Sequence, residues 1–363
     1  MHLLTNPVKD YDWGSRTDIA ALTGRPVPAA GPEAEMWLGT HPSGPSLLAG
    51  QDRSLPEMIA ADPAGALGPA TLDAYGERLP YLLKLIAVAR PLSLQVHPTA
   101  EQAADGHARG VYPDPWPKPE LVCALTPFTA LAGFRPAGQA AMLIDRLGVP
   151  ALRDVVRLLD AGEVLPALAA LLDGRDVTEQ VVWAASAVHQ PDYALVVKLA
   201  RCHPGDPACL APLLLQRHEL APGQAMFLGA GVLHCYVKGF GVEIMGGSDN
   251  VVRAGLTTKR VDLPELLRVT DPQAAPVPVE PGEDGGYATP APEFRLRRIA
   301  VDGGTRLAGG APRILLCVEG LPTVDGVGLR PGESVFVPAA HPELAIAGSG
   351  VVFAAEPGPP PAA

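Results

Sequence analysis

Aromatic side chains make up only 5% of this 363-residue chain, and charged ones only 18%. No run of five like charges occurs, and no basic stripe alternates with aromatics. The electrostatic footprint of nucleic-acid binding is therefore missing. Cysteines are few: Cys123, Cys202, Cys209, Cys235 and Cys317. Their number is odd and their spacing wide, and none forms a Cys-x-x-Cys pair. Neither a disulfide framework nor a thiolate metal site is indicated, and reduced cytosolic thiols are the simpler reading. No apolar run approaches the ~20 residues of a membrane span. The first fourteen residues carry Lys9, Asp10 and Asp12 and lack the apolar core of a secretory signal. These absences predict a soluble cytoplasmic protein with neither nucleic-acid nor membrane partners. A monomer is expected, though no motif bears on it.

Apolar residues, by contrast, reach 47%, enough for a large core, and the length suits about two or three domains. The 41 prolines and 39 glycines predict many turns. With a net charge of −11, binding an anionic substrate requires a local concentration of cations.

Up to about residue 135, short apolar runs such as Tyr81–Val88 and residues 121–134 are cut by Gly and Pro, which is how an all-β domain reads. From about 138 to 211 the spacing changes. Leu165, Leu168 and Leu172 fall at i, i+3 and i+7, and Leu143, Leu147, Val155 and Leu159 keep similar intervals, predicting several short helices. Strands return at residues 213–220, Ala225–Leu228 and 232–237. Asp262 is placed to cap a helix running to Val269. Residues 272–292, Pro-rich and acidic, read as a linker. A last β block covers 293–355, and residues 357–363 read as a disordered tail.

A turn–strand–turn–His unit occurs twice. Pro222-Gly223 leads through a strand to His234, and Pro331-Gly332 leads through another to His341. His341 has no candidate partners nearby and reads as architecture.

Three segments carry chemistry-bearing residues. In Leu92-Ser93-Leu94-Gln95-Val96-His97-Pro98, strand alternation puts Ser93, Gln95 and His97 on one face and Leu92, Leu94 and Val96 on the other. In Lys118-Pro119-Glu120, the same rule points Lys118 and Glu120 one way, as a surface ion pair or as part of a site. The third segment runs from Gly223 through Gly229-Ala230-Gly231 to His234, close to the second signature motif of cupins with Gly229 where Pro is usual. It continues through Glu243 to Ser248-Asp249-Asn250-Val251-Val252-Arg253-Ala254-Gly255 and Lys259, which reads as a solvated turn or an active-site loop. His97, Glu120 and His234 make two imidazoles and one carboxylate. By ligand type this set suits Zn, Fe, Mn or Co, and it is also the pattern of non-haem Fe(II) oxygenases. Gln95 separates the readings, because its amide oxygen would fill a fourth position and leave little room for O₂ beside a chelating substrate.

These residues, with Tyr11-Asp12-Trp13-Gly14-Ser15 and Gly231 to Tyr236, closely resemble the type I mannose-6-phosphate isomerases. The matches follow the family's order over about residues 11–260. The resemblance implies a mainly β fold with an α insert: two cupin (jelly-roll) β-barrels plus an inserted all-helical domain. The corresponding division is 1–137 and 212–270 for the catalytic barrel, 138–211 for the helices, 271–356 for the second barrel and 357–363 for the tail. It also implies one Zn²⁺ per chain held by Gln95, His97, Glu120 and His234. Arg253 would be the catalytic cation, with Lys118, Glu243, Asp249 and Lys259 in the same pocket and Trp13, Lys84 and Ser93 along its wall. Many relatives have His immediately before the Lys-Pro-Glu motif, where this chain has Pro117.

The reaction so implied interconverts mannose 6-phosphate and fructose 6-phosphate through a cis-enediol. Arg253 suits the enediolate oxygens as a fixed cation. Glu243 is the first candidate for the base, since an enclosed carboxylate can have a raised pKa, and Lys118 the second. Lys259 and Ser93 are candidates for the phosphate. An Fe(II)-dependent cupin dioxygenase and a non-enzymatic sugar-binding cupin are the competing readings.

Overall fold

One strand, His234–Gly246, determines how the first half of the molecule is built. The computed structural model describes residues 1–359, the side chains of residues 175 and 176 excepted, and is mainly β, with two large sheets and a block of helices. The first sheet runs Val277–Val279, Ala225–Leu228, Glu120–Ala124, His234–Gly246, Tyr81–Val88, Glu35–Leu38 and Val8–Lys9, with antiparallel neighbours. The start of the long strand leaves this ladder and joins another, pairing with Phe128–Phe134 and, through His234, with Gln95. Leu215–Leu220 and Val252–Gly255 extend that second ladder.

The change of partner requires an irregularity. Tyr236 pairs with Ala130 and Lys238 with Thr129, so Val237 is an extra residue, a β-bulge. Gly239 follows with φ of +141°, and a Cβ there would lie 2.4 Å from Cδ2 of Phe128. Only glycine fits such an approach. The bulge also changes which residues face inward. Before it, His234 and Tyr236 point in; after it, Glu243 and Met245 do, while Phe240, Val242 and Ile244 point out.

The two ladders share an inner core in which Ile86, Val88, Val122 and Ala124 meet Phe128, Ala130, Ala132 and Tyr236. Their outer faces are covered separately. Leu83, Leu85, Leu121, Val242 and Ile244 pack on Ile314, Leu316, Phe336 and Phe353 of the second sheet. Leu94, Val96, Leu131, Cys235 and Val237 pack on the helices. Full burial of each such side chain stabilises by roughly 1.5–3 kcal/mol, so polar groups on the inner face are held by apolar neighbours on both sides. The helices are Ala137–Asp145, Arg153–Asp160, Val164–Asp173, Arg175–Ser186 and Pro191–Cys202.

The second sheet has at its centre Arg295–Leu307, Leu344–Glu356, Arg313–Gly320 and Ser334–Val337. Its interior is apolar, with Leu315, Cys317, Val335, Val337, Leu344, Ile346 and Val352 buried together. His341 lies outside that interior, bonded to Asp325.

Several expectations change. His2–Thr5 belongs not with the first sheet but with the second, paired to Ser334–Val337. Residues 272–292 are more than a linker. Val277–Val279 adds an edge strand to the first sheet and Gly286–Tyr287 one to the second, and an edge tolerates the missing N–H of Pro278. The strand expected from 213 begins at Leu215, because residues Pro207–Leu213 form a 3₁₀ turn that Arg135 caps by donating to Pro212 O. In the tail, Gly358 sits close to the carbonyls of Ala291 and Phe294, so the stretch begins packed rather than free. Residues 360–363 lie outside the described residues. Asp262 does cap the helix Leu263–Val269, accepting from Glu265 N at 3.2 Å.

Candidate metal centre and its cavity

The site sits where the two ladders diverge. Gln95 pairs with both His234 and Arg253, and Glu120 pairs with Leu228 and Met245. Two strands and the residue just past the end of a third, from distant parts of the chain, therefore deliver Glu120, His234 and His97 to one point. All three are at most 2% exposed, and one ligand atom from each lies within 4.8 Å of the others. His97 Nε2 is 3.2 Å from Glu120 Oε1, and His234 Nε2 is 3.4 Å from Glu120 Oε2.

The imidazoles are oriented from behind. His97 Nδ1 lies 2.8 Å from Asn250 O and His234 Nδ1 lies 2.9 Å from Val232 O. A carbonyl only accepts, so Nδ1 carries the hydrogen and each Nε2 lone pair faces the cluster. Burial pushes the His97 imidazole down to about 4, so it is neutral near pH 7. Burial alone would raise Glu120, but its neighbours, among them Lys118 with Nζ 3.3 Å away, hold it well below the usual carboxylate range. Among the described residues, His97 Nε2 and Glu120 Oε2 are buried without a hydrogen-bond partner. Buried polar atoms are rarely left so, and two lone-pair nitrogens around a carboxylate are the donor set of a divalent transition metal. The residues present fit such an ion. Gln95 stands beside them, its Nε2 3.4 Å from His234 Nε2 and its Oε1 accepting from Ser93 Oγ at 2.9 Å. With the amide turned over, Oε1 faces the cluster and Nε2 donates to Ser93.

Above the cluster lies a cavity of about 440 Å³. Trp13, Lys84, Ser93, Gln95, Lys118, Glu120, Glu243, Asp249, Arg253 and Lys259 all line it, so the structure brings every site residue named from the sequence to this cavity or its floor. Leu92 also lines it, on the side of Ser93 rather than with Leu94 and Val96. The regular strand begins only at Leu94, so alternation does not reach back to Leu92.

Two charge networks shape the wall. Lys84 Nζ lies 3.1 Å from Glu243 and 3.4 Å from Glu35, and Glu35 also accepts from Trp37 Nε1 at 2.7 Å. Burial opposes the Lys84 charge, but Glu243 and Glu35 hold its pKa above the ordinary value. Burial raises Glu243; Lys84 offsets this while Glu120 and Glu35 add to it. At the mouth, His41 Nε2 donates to Asp249 Oδ1 at 3.0 Å while His41 Nδ1 accepts from Ser43 N. That hydrogen bond is the chief reason the Asp249 carboxyl titrates low. Arg253 is half-buried and lowered by burial, with no carboxylate opposing it among the described residues. Burial, and then Arg253, lowers Lys259.

A family model described as "Phosphomannose isomerase type I, catalytic domain" matches residues 1–137. The mannose-6-phosphate isomerase of Escherichia coli K12 is 34% identical over 96% of this chain and 98% of its own length, and that of Homo sapiens is 33% identical over 87% of each. The chain belongs to the mannose-6-phosphate isomerase family. Among solved structures, a variant of Salmonella typhimurium phosphomannose isomerase superposes with a TM-score of 0.92 at 31% identity, covering 99% of this chain and 100% of that one. A zinc-bound mannose 6-phosphate isomerase gives 0.90 at 31% identity, covering 99% of each.

Immediately before the Lys-Pro-Glu motif, where the resemblance leads one to expect His, this member of the mannose-6-phosphate isomerase family has Pro117. The residue packs against Gly246, where a Cβ would lie 2.9 Å from Pro117 O, and its ring offers no proton-transfer group. The imidazoles that line the cavity, His41 and His203, come from elsewhere. Sequence reasoning missed them, and it missed Glu35 and Trp37. The last two share a strand face at i and i+2, the same signal that revealed Lys118 and Glu120.

Proposed function

We propose that this chain is a zinc-dependent aldose–ketose isomerase interconverting mannose 6-phosphate and fructose 6-phosphate. The observation that carries this reading is the buried His97–Glu120–His234 cluster with ligand atoms unpartnered among the described residues, below a cavity that holds Arg253 with no carboxylate partner among those residues. Glu120, His97 and His234, with Gln95 through its amide oxygen, would hold one ion. When bound, zinc supplies a fixed positive charge for substrate oxygens.

The chain's own groups do the rest. Moving a hydrogen between C2 and C1 of an open-chain sugar needs a base beside both carbons and cations beside both oxygens. Glu243 is the base. Lys84 engages its Oε2, leaving Oε1 to take the proton from one carbon and return it to the other, while the hydroxyl proton passes between O2 and O1 within the cis-enediolate. Two carboxylates share the Lys84 cation, which keeps Glu243 basic enough for this. Arg253 stabilises the enediolate charge and does not exchange protons. Lys259 and Ser93 bind the phosphate, Asp249 accepts from sugar hydroxyls, and Trp13 walls the pocket. Lys118 neutralises Glu120 and stands second as a proton carrier.

In architecture, we read the first sheet as a cupin barrel of residues 1–137 and 212–270, the helices 138–211 as its insert, and 271–356 as a second cupin-like barrel completed by His2–Thr5. All five thiols are free, which suits a reducing cytoplasm. Among the described residues no helix is long and apolar enough to cross a membrane. No observation favours an iron dioxygenase or a non-enzymatic sugar-binding protein.

A coupled assay with mannose 6-phosphate, with and without chelator, tests the function. Activity lost on chelation and recovered with zinc supports it. Activity indifferent to chelation overturns the metal, and none in a zinc-loaded, folded protein overturns the reaction.

A further inference from the structure

His97 meets Asn250 O because residues 248–250 hold an irregular turn beside the metal cluster. Asp114 holds that turn. Its Oδ1 accepts from Ser248 Oγ at 2.8 Å, from Trp116 N at 3.0 Å and from Asn250 Nδ2 at 3.2 Å. Its Oδ2 accepts from Asp249 N at 2.9 Å, and its backbone carbonyl accepts from Asn250 Nδ2 at 2.8 Å. A carboxylate has about four acceptor sites, so this one is saturated. Trp116 O adds contacts to Ser248 and Asn250 at 3.1 and 2.9 Å, and Arg78 stacks on the Trp116 ring at 4.2 Å. The 114–116 segment is thus pinned on its far side as well.

Two branches leave the turn. One runs from Asn250, which has no solvent exposure, through its carbonyl to His97 Nδ1, whose ring carries Nε2 into the cluster. The other runs from Asp249, whose backbone Asp114 holds and whose carboxylate His41 aims at the cavity mouth. We propose that Asp114 is the positioning residue of this site. It orients the ligand His97 and the carboxylate of Asp249 together, and touches neither metal nor substrate. The proposal rests on the zinc reading above.

Asp114→Asn tests it. The amide keeps one acceptor oxygen and turns an N–H₂ toward N–H donors, so the turn shifts while bulk is unchanged. Groups that orient a metal-bound His typically alter affinity by about 10–100-fold. Full-length wild type, D114N, S248A and H97A are stripped with chelator. Zinc dissociation constants are then measured by competition with a chromophoric chelator, well below each protein's own melting temperature. D114N is expected to bind zinc 10–100-fold more weakly, with a zinc-free melting temperature within a few degrees of wild type. At saturating zinc its KM should rise as well as its kcat fall, because Asp249 moves too. S248A keeps the contacts from Asp114 to Asn250 and Asp249, so it should lose less, about three- to tenfold. A folded D114N with zinc affinity within threefold of wild type overturns the proposal, as does lower zinc-free stability at unchanged zinc affinity. Should D114N not fold, S248A decides: unaltered zinc affinity there overturns it equally. Wild type that does not bind zinc, or H97A that binds it as wild type does, is a different pattern and overturns the metal reading itself.

Discussion

Both imidazoles of the metal cluster are fixed by backbone carbonyls behind them, and the carboxylate between them faces a lysine. Arg253 lacks any such restraint of charge: burial lowers it and, among the described residues, no acid answers it. A guanidinium so placed stays charged and is available to an oxyanion. Arg253→Ala should therefore reduce kcat by roughly 100-fold or more with zinc content unchanged, read by steady-state kinetics beside metal analysis. Activity within threefold of wild type, about 0.7 kcal/mol, would remove Arg253 from the mechanism. Much of this was legible at residue level, because the i, i+2 rule holds in extended chain next to a strand as well as within it. It grouped Ser93, Gln95 and His97 around the strand Leu94–Val96, and also Lys118 and Glu120. It could not link His41 to Asp249, 208 positions away, or Asp114 to the 248–250 turn. Nothing local marks a partner that only folding brings near.

At the level of elements, the strand His234–Gly246 carries the main irregularity. His234 and Glu243 are nine positions apart, so in a regular strand they would face opposite sides. The extra residue Val237 and the bend at Gly239 turn both inward. Gly239→Ala combines a positive φ with a Cβ 2.4 Å from Phe128, and overpacking with strain should cost about 2–5 kcal/mol. Gly138→Ala is the control. It lies near the start of the helix Ala137–Asp145 with nothing within 4 Å of a new Cβ, and should be neutral or stabilising by up to about 1 kcal/mol. Urea unfolding of the two variants reads the contrast, and equal effects would contradict the role given to the bend. The linker expected at 272–292 failed for a related reason. Its proline content signals turns, but two short edge strands fit between them once neighbouring sheets offer their edges.

For the whole molecule, a metal bound only by the folded state adds stability by mass action, about 2.7 kcal/mol at a hundredfold excess over Kd. Zinc should raise the melting temperature of chelator-stripped protein by several degrees, and His97→Ala should abolish both the rise and the activity. A zinc-free yet active His97→Ala protein would contradict the ligand assignment. Acid sensitivity has a separate source. Arg268, with Tyr112, holds Glu265 down to about 2 against the opposing effect of burial, from an ordinary 4.5. Its folded value lies below its unfolded one, so its contribution is complete above about pH 4.5 and fades as pH falls toward 2. Glu265→Gln should therefore melt below wild type at pH 7, with the gap narrowing as pH drops below 4.5. A gap as large at pH 3.5 as at pH 7 would contradict this.

By itself the sequence determined the residue types of the site, the helical character of 138–211 and the strand faces within each regular run, because these depend on local periodicity. Only the tertiary structure decided that a bulge turns His234 and Glu243 to one side, that the first strand joins the second sheet, and that Asp114 and His41 hold the site from outside. Each of those depends on pairing between segments far apart in the chain, which periodicity does not encode.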